Sequence, residues 1–183
     1  LTRLAKVDAA LEKKLKNEAL RYHKNYPGEM MHSDNTELPM LEGEKHTDKP
    51  ETLHIAIDDF SRELYAAILP DKTQYSSAAF LAQVLEECPY TIETWYTDNG
   101  TEYKGNPGKH EFMKLIAENG IKQSFTRPHT PRTNGKAERV IKTIQDMWLK
   151  KTRFTSRVHR KQELVRFVNF YNTVKPHKGI DNL

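Results

Sequence analysis

TDNGTEYKGNPGKHEFMKLIAENGIKQSFTRPHTPRTNGKAER, residues 97–139, is the stretch on which the fold turns. Its first residues follow an apolar run containing Ile92, Trp95 and Tyr96 and enter a tight Asn99-Gly100 turn. An acidic residue in that position sits at the carboxyl end of a strand, where open α/β sheets place their ligands. That residue is Asp98. The last residues open a helix: Pro131 and the polar break Thr133-Asn134-Gly135 precede Ala137, Val140, Ile141, Ile144, Met147 and Trp148, which recur at helical period. Glu138 falls in the first turn, with 39 residues between it and Asp98. Two carboxylates therefore converge from two rigid elements. Joined by a third acid, they would form a hard, all-oxygen cluster suited to Mg²⁺ or Mn²⁺, as a pair of ions.

Between these ends, residues 104–109 (KGNPGK) read as loop, 110–119 as a short helix closed by Gly120 in a left-handed cap, and 121–125 as a strand. Residues 127–135 (RPHTPRTNG) read as a mobile surface loop. Upstream, 30–38 reads as a first strand stopped by Pro39. Runs 53–57 and 63–69 form a hairpin around Asp58-Asp59-Phe60-Ser61-Arg62. Residues 76–87 carry helical periodicity, and 91–97 is the strand leading to Asp98. Downstream, a last helix spans 160–173 with Leu164, Phe167, Val168, Phe170 and Tyr171 inward. Three strands, helix, strand, helix, strand, helix, helix is the order of an α/β fold with a mixed five-stranded sheet flanked by helices.

At 183 residues the chain holds one ordinary domain, residues 29–183, with an appendage at residues 1–28. The appendage reads as an amphipathic helix over 2–25 (Leu4, Val7, Leu11, Leu15, Ala19, Tyr22) ended by Pro27-Gly28. Because the sequence starts at Leu1 and stops abruptly, it is read as a piece of a longer protein, and this helix as a linker or arm from a missing amino-terminal domain. No apolar stretch approaches the roughly 20 residues that span a bilayer. A single cysteine, Cys88, excludes an internal disulfide and a cysteine zinc site, which fits a reducing cytoplasm.

The net charge is only +4, but residues 121–163 hold twelve Lys and Arg against three acids. A basic segment surrounding one acid, Glu138, suits a polyanion delivered to a metal held by carboxylates. A solvated charged helix would look the same by charge alone.

WYTDNGTEY at 95–103, GIKQSFTRPHTPRTNGKAERVIKT at 120–143, IAIDDFSR at 55–62 and FYNTVKPH at 170–177 together resemble the catalytic core of retroviral-type integrases and bacterial insertion-sequence transposases. This is the DDE superfamily on an RNase H-like fold. The resemblance covers residues 29–178 and lies in the ordered set of motifs, since TDNG alone is only a turn. Carried over by position, it implies that Asp34, Asp98 and Glu138 are the metal-binding acids. The spacing of Asp98 and Glu138 exceeds the family's usual one by a few residues, a surplus that fits an insertion at 104–109.

The implied activity is DNA cleavage and strand transfer with two Mg²⁺ or Mn²⁺ ions. The implied partners are element ends and target DNA. A homodimer or higher multimer, in a DNA-associated bacterial cytoplasm, completes the picture. Lys142, one turn beyond Glu138, resembles the family's contact to a phosphate near the cut. Arg132, Asn134, Lys136 and Arg139 join it as the expected DNA-facing set. Asp58 and Asp59 are read as hairpin-turn residues, and His129 and His177 as facing DNA or capping a loop rather than holding zinc. Two other readings remain open at this point: an inactive DNA-binding derivative of such an enzyme, and an RNase H-like nuclease that cuts without joining.

Overall fold

The computed structural model describes residues 24–45, 47–126 and 134–174. Nearly all of the helix expected over 2–25 and of the loop expected at 127–135 lies outside these residues; Lys24 and Asn25 are described and are not helical. The chain forms β1 (Met31–Glu37), β2 (Thr52–Asp58), β3 (Leu64–Leu69), α1 (Gln74–Glu87), β4 (Thr94–Thr97), α2 (Glu111–Glu118), β5 (Lys122–Phe125), α3 (Gly135–Ile144) and α4 (Arg157–Thr173). These are the elements expected from the sequence, in the expected order. The sheet order is β3-β2-β1-β4-β5. β1, β2 and β3 are antiparallel neighbours, whereas β4 runs parallel to β1 and β5 parallel to β4. The sheet is thus mixed and five-stranded, with β1 at its centre.

Helices cover both faces. Period-two alternation along β2 sends Leu53, Ile55 and Ile57 to one side, where they pack with Ala137, Val140, Ile141 and Ile144 of α3 and Leu164, Phe167 and Tyr171 of α4. Ala56 goes to the other side, with Met31, Trp95, Phe80 of α1 and Phe112 of α2. Asp34 pairs in register with Ile55, so it shares the face covered by α3 and α4.

Local chemistry fixes the ends of these elements. Thr73 and Ser156 cap α1 and α4, their hydroxyls accepting from the N–H groups of Ser76 and His159. Gly120, with φ 65°, ends α2 in the left-handed conformation that its position demanded. Gly28 has φ 87°, and a Cβ there would stand 2.1 Å from the carbonyl oxygen of Thr91. That close approach lets Gly28 N–H donate to Asp58 and its carbonyl accept from Glu93 N–H, so residues 24–28 already belong to the core's hydrogen-bonded frame.

Two apolar side chains depart from the expected stripes. After Ile144 the helix widens into a π-helical turn, Gln145–Leu149, in which Lys150 N–H donates to the Gln145 carbonyl. The turn keeps Trp148 in the core and turns Met147 out to solvent. Phe170 is likewise exposed, because Leu164, Phe167 and Tyr171 already fill the inner face of α4.

Candidate active site

β1 and β4 pair only at Met31↔Trp95 and His32↔Tyr96. Extending that register by two residues sets Asp34 level with Asp98, at the point where the ladder has ended and the strands are free to part. Such a notch at the carboxyl ends of adjacent parallel strands is where open sheets bind ligands. Asp98 lies exposed on the turn after β4, its Oδ1 accepting from Gly100 N–H at 2.9 Å. Asn99 fixes the same turn to the end of β5 by donating to the Thr126 carbonyl at 2.9 Å. Glu138 is exposed in the first turn of α3, which the buried Ala137 and Val140 hold against the sheet.

Electrostatics tie these three acids together. Burial pushes the Asp34 carboxyl up to about 6, and the negative charges of Asp98, Glu138 and Glu102 push in the same direction. The opposing influence is the Asn35 N–H, which donates to Asp34 Oδ1 at 2.8 Å. Carboxylates from β1, the β4 turn and α3 thus share one field.

Glu102 is an acid that the motif reading passed over. Its Oε1 accepts from Asn35 Nδ2 at 2.8 Å, and the same amide donates to the Tyr103 hydroxyl at 3.0 Å. Its place on the TDNGTEY turn was visible in the sequence, but its link to the residue after Asp34 depends on the pairing of β1 with β4.

The residues expected to face DNA divide. Arg139 and Lys142 are exposed on α3. Asp146, one turn beyond Lys142, is paired with Lys150 at 2.6 Å. Asn134, expected at the DNA surface, is instead 3% exposed, and its Nδ2 donates to the Ser33 carbonyl at 3.2 Å. Lys136, also expected there, is ion-paired with the buried Asp59. Asn134 holds the N-cap position of α3 and Lys136 lies in its first turn, where docking of the helix on β1 turns both inward. Arg132, His129 and His177 lie outside the described residues. Asp58 behaves as a turn residue should, with Oδ2 accepting from the N–H groups of Phe60 and Ser61.

Two family models, each described as an integrase core domain, match residues 24–131 and 119–183. The chain belongs to the integrase core domain family. The transposase for insertion sequence element IS904 of Lactococcus lactis is 26% identical over 160 residues, covering 85% of this chain and 58% of the transposase. The retrovirus-related Pol polyprotein from transposon TNT 1-94 of Nicotiana tabacum is 38% identical over 90 residues, 48% of this chain and 6% of the polyprotein. The chain therefore spans little more than half of the first relative and a small part of the second. Among solved structures, the HTLV-2 integrase catalytic core domain in complex with magnesium superposes with a TM-score of 0.61 at 18% identity, over 84% of this chain and 92% of that one. This likeness places the integrase core on the RNase H-like fold.

The residues at the notch fit a divalent cation in charge and in donor type. They offer only carboxylate oxygens, the hard donors that Mg²⁺ and Mn²⁺ take. The upward push on Asp34 comes first from its burial and then from the negative charges of Asp98, Glu138 and Glu102. Among the described residues, no three His, Cys, Asp or Glu side chains are drawn close enough to hold a metal ion as they stand. The backbone brings the acids to one end of the sheet; their side chains are not closed around a point.

Proposed function

We propose that this integrase core cuts and joins DNA strands by metal-dependent phosphodiester transfer, as part of a longer transposase or integrase. The observation that carries the reading is the half-buried Asp34 carboxyl at the end of the sheet, raised to about 6 by its partial burial and by the field of Asp98, Glu138 and Glu102. Asp34, Asp98 and Glu138 would hold Mg²⁺ or Mn²⁺, as a pair of ions. Bound there, divalent cations supply Lewis-acid activation of a water or a DNA 3′-hydroxyl and neutralise charge as the leaving oxygen departs.

The chain's own residues do the rest. The notch between β1 and β4 orients the acids from two strand ends, and α3 brings Glu138 to the same edge. Arg139 and Lys142, exposed on that helix, hold phosphates of the incoming duplex, which gives position and salt-dependent affinity rather than base recognition. Sequence-specific recognition of element ends belongs to parts of the protein outside this chain. Residues 1–28 would hold the arm that leads to such a part, its end at 24–28 tied to the core, and residues 29–183 the catalytic core. The HTLV-2 integrase core is known in dimeric and trimeric forms, and by likeness a homodimer or higher multimer is the working form here. No helix among the described residues is long and apolar enough to cross a membrane.

The test of this reading is incubation of the full protein with Mg²⁺, an element-end duplex bearing a free 3′-hydroxyl, and a circular target. Joined product is the expected result. Cleavage without joining would indicate a nuclease, and binding without either reaction would indicate an inactive derivative.

Lys142 gives a separate prediction. Its ammonium lies one helical turn from Glu138, within reach of a phosphate beside the reacting one. Lys142→Ala should weaken binding to a short duplex and lower the magnitude of the salt slope by about one charge. Plots of log affinity against log salt that run parallel for wild type and variant would remove Lys142 from the DNA contact.

A further inference from the structure

Asp59, read from the sequence as a hairpin-turn acid, is 2% exposed. Its Oδ1 meets His32 Nε2 at 2.8 Å and is ion-paired with Lys136 Nζ. Its Oδ2 accepts from the N–H of Lys24 at 3.1 Å, and its own N–H donates to the Met30 carbonyl. One buried carboxylate oxygen is therefore shared by a side chain of β1 and a side chain of the first turn of α3.

The positions of those two side chains matter. His32 stands two residues before Asp34 on the same strand, so both point to the face on which α3 packs. Lys136 stands two residues before Glu138. A second tie lies beside the first, where the buried Asn134 donates to the backbone of Ser33. The start of α3 is thus bolted to β1 through residues that flank Asp34 on one side and Glu138 on the other.

From this geometry we infer that Asp59 and Lys136 form an ionic clasp that sets the spacing between Asp34 and Glu138, and so positions the two acids for a shared cation. The inference rests on the proposed function, because only if these acids share a ligand does their spacing have a chemical consequence. An apolar plug would hold a helix on a sheet at least as well as a buried ion pair. What a carboxylate fixed between an ammonium and an imidazole adds is direction: it defines where the helix start sits along β1. Asp59 is held well below the usual carboxylate range, to about 2, because the bonds from His32 and Lys136 outweigh the burial that pushes the other way.

Lys136→Met is the informative variant. It removes a positive charge close to an acidic site, which by charge alone should tighten cation binding; a clasp predicts the reverse. Mn²⁺ affinity of the full protein, measured by paramagnetic resonance without DNA, is expected to fall roughly 10- to 100-fold, the usual cost of losing a residue that orients metal ligands. Lys136→Arg, which keeps the pair, should restore affinity to within about threefold of wild type. Circular dichroism and a cooperative melt establish that each variant is folded, and Asp59→Asn supplies a second break if it folds. Asp34→Asn serves as the benchmark and should lose Mn²⁺ binding outright. If Asp34→Asn weakens binding while a folded Lys136→Met binds as tightly as wild type or tighter, the clasp is overturned and the site stands. If Asp34→Asn binds as wild type does, the site itself is wrong and the clasp falls with it.

Discussion

Asp98→Asn, Glu138→Gln and Asp34→Asn are each expected to lower strand joining by more than ~100-fold while leaving the protein folded. Residues that merely orient a metal ligand already cost 10- to 100-fold when changed, so a ligand itself should cost more. Each substitution removes one negative charge at nearly constant shape. Asp98 and Glu138 are exposed, so neither change opens a cavity or strands a buried partner. At Asp98 the Asn side chain keeps an oxygen to accept from Gly100 N–H, and the turn should persist. Loss of joining with an unchanged melting curve at Asp98 and Glu138, and with a cooperative melt no lower than wild type at Asp34, is therefore the signature. A variant that joins at near wild-type rate would take its residue out of the site. Glu102→Gln provides the contrast: it retains an oxygen for Asn35 and should be much milder.

Removing the charge of Asp34 should make the metal-free protein more stable at neutral pH. Its folded pKa of about 6 lies above the ordinary 3.8. Between those values the folded state keeps a proton that the unfolded state has lost, so stability falls as pH rises through the window, and the cost is complete above pH 6. At 1.36 kcal/mol per unit the penalty is at most about 3 kcal/mol. Asp34→Asn avoids it, and the amide oxygen can still accept from Asn35 N–H. Urea unfolding in chelator from pH 4 to 8 should show the variant more stable at pH 7 and the difference vanishing near pH 4. Equal stability of the two proteins at pH 7 would contradict the burial of a charged Asp34 among other acids. Asp59 shifts the opposite way: its folded value of about 2 gives stability present above pH 3.8 and lost as pH falls towards 2, outside the window in which Asp34 acts.

The architecture was legible because its signals are local. Helical periodicity marked α3 and α4, the Asp58-to-Arg62 turn marked the β2–β3 hairpin, and Gly120 marked the end of α2. That Asp98 ends a strand and Glu138 begins a helix followed from the same signals. Side-chain facing at element ends was less legible, since it depends on contacts distant in sequence. Asn134 and Lys136 sit in a basic, polar stretch that reads as solvent-facing, yet Ser33 and Asp59 draw them inward from 101 and 77 residues away. Asp59 reads as a turn residue because its neighbour Asp58 is one. Glu102 joins the site through its charge beside Asp34 and through Asn35, links that exist once β4 lies beside β1. Met147 left its stripe because a π-helical turn changes the period that the stripe assumed.

Direct titration tests whether three acids from β1, the β4 turn and α3 make one divalent-cation site. Calorimetry of the full protein with Mn²⁺ at pH 7.5 should give saturable binding in wild type, lost or reduced by more than ~100-fold in each of Asp34→Asn, Asp98→Asn and Glu138→Gln. Saturable binding that survives unchanged in all three variants would contradict it.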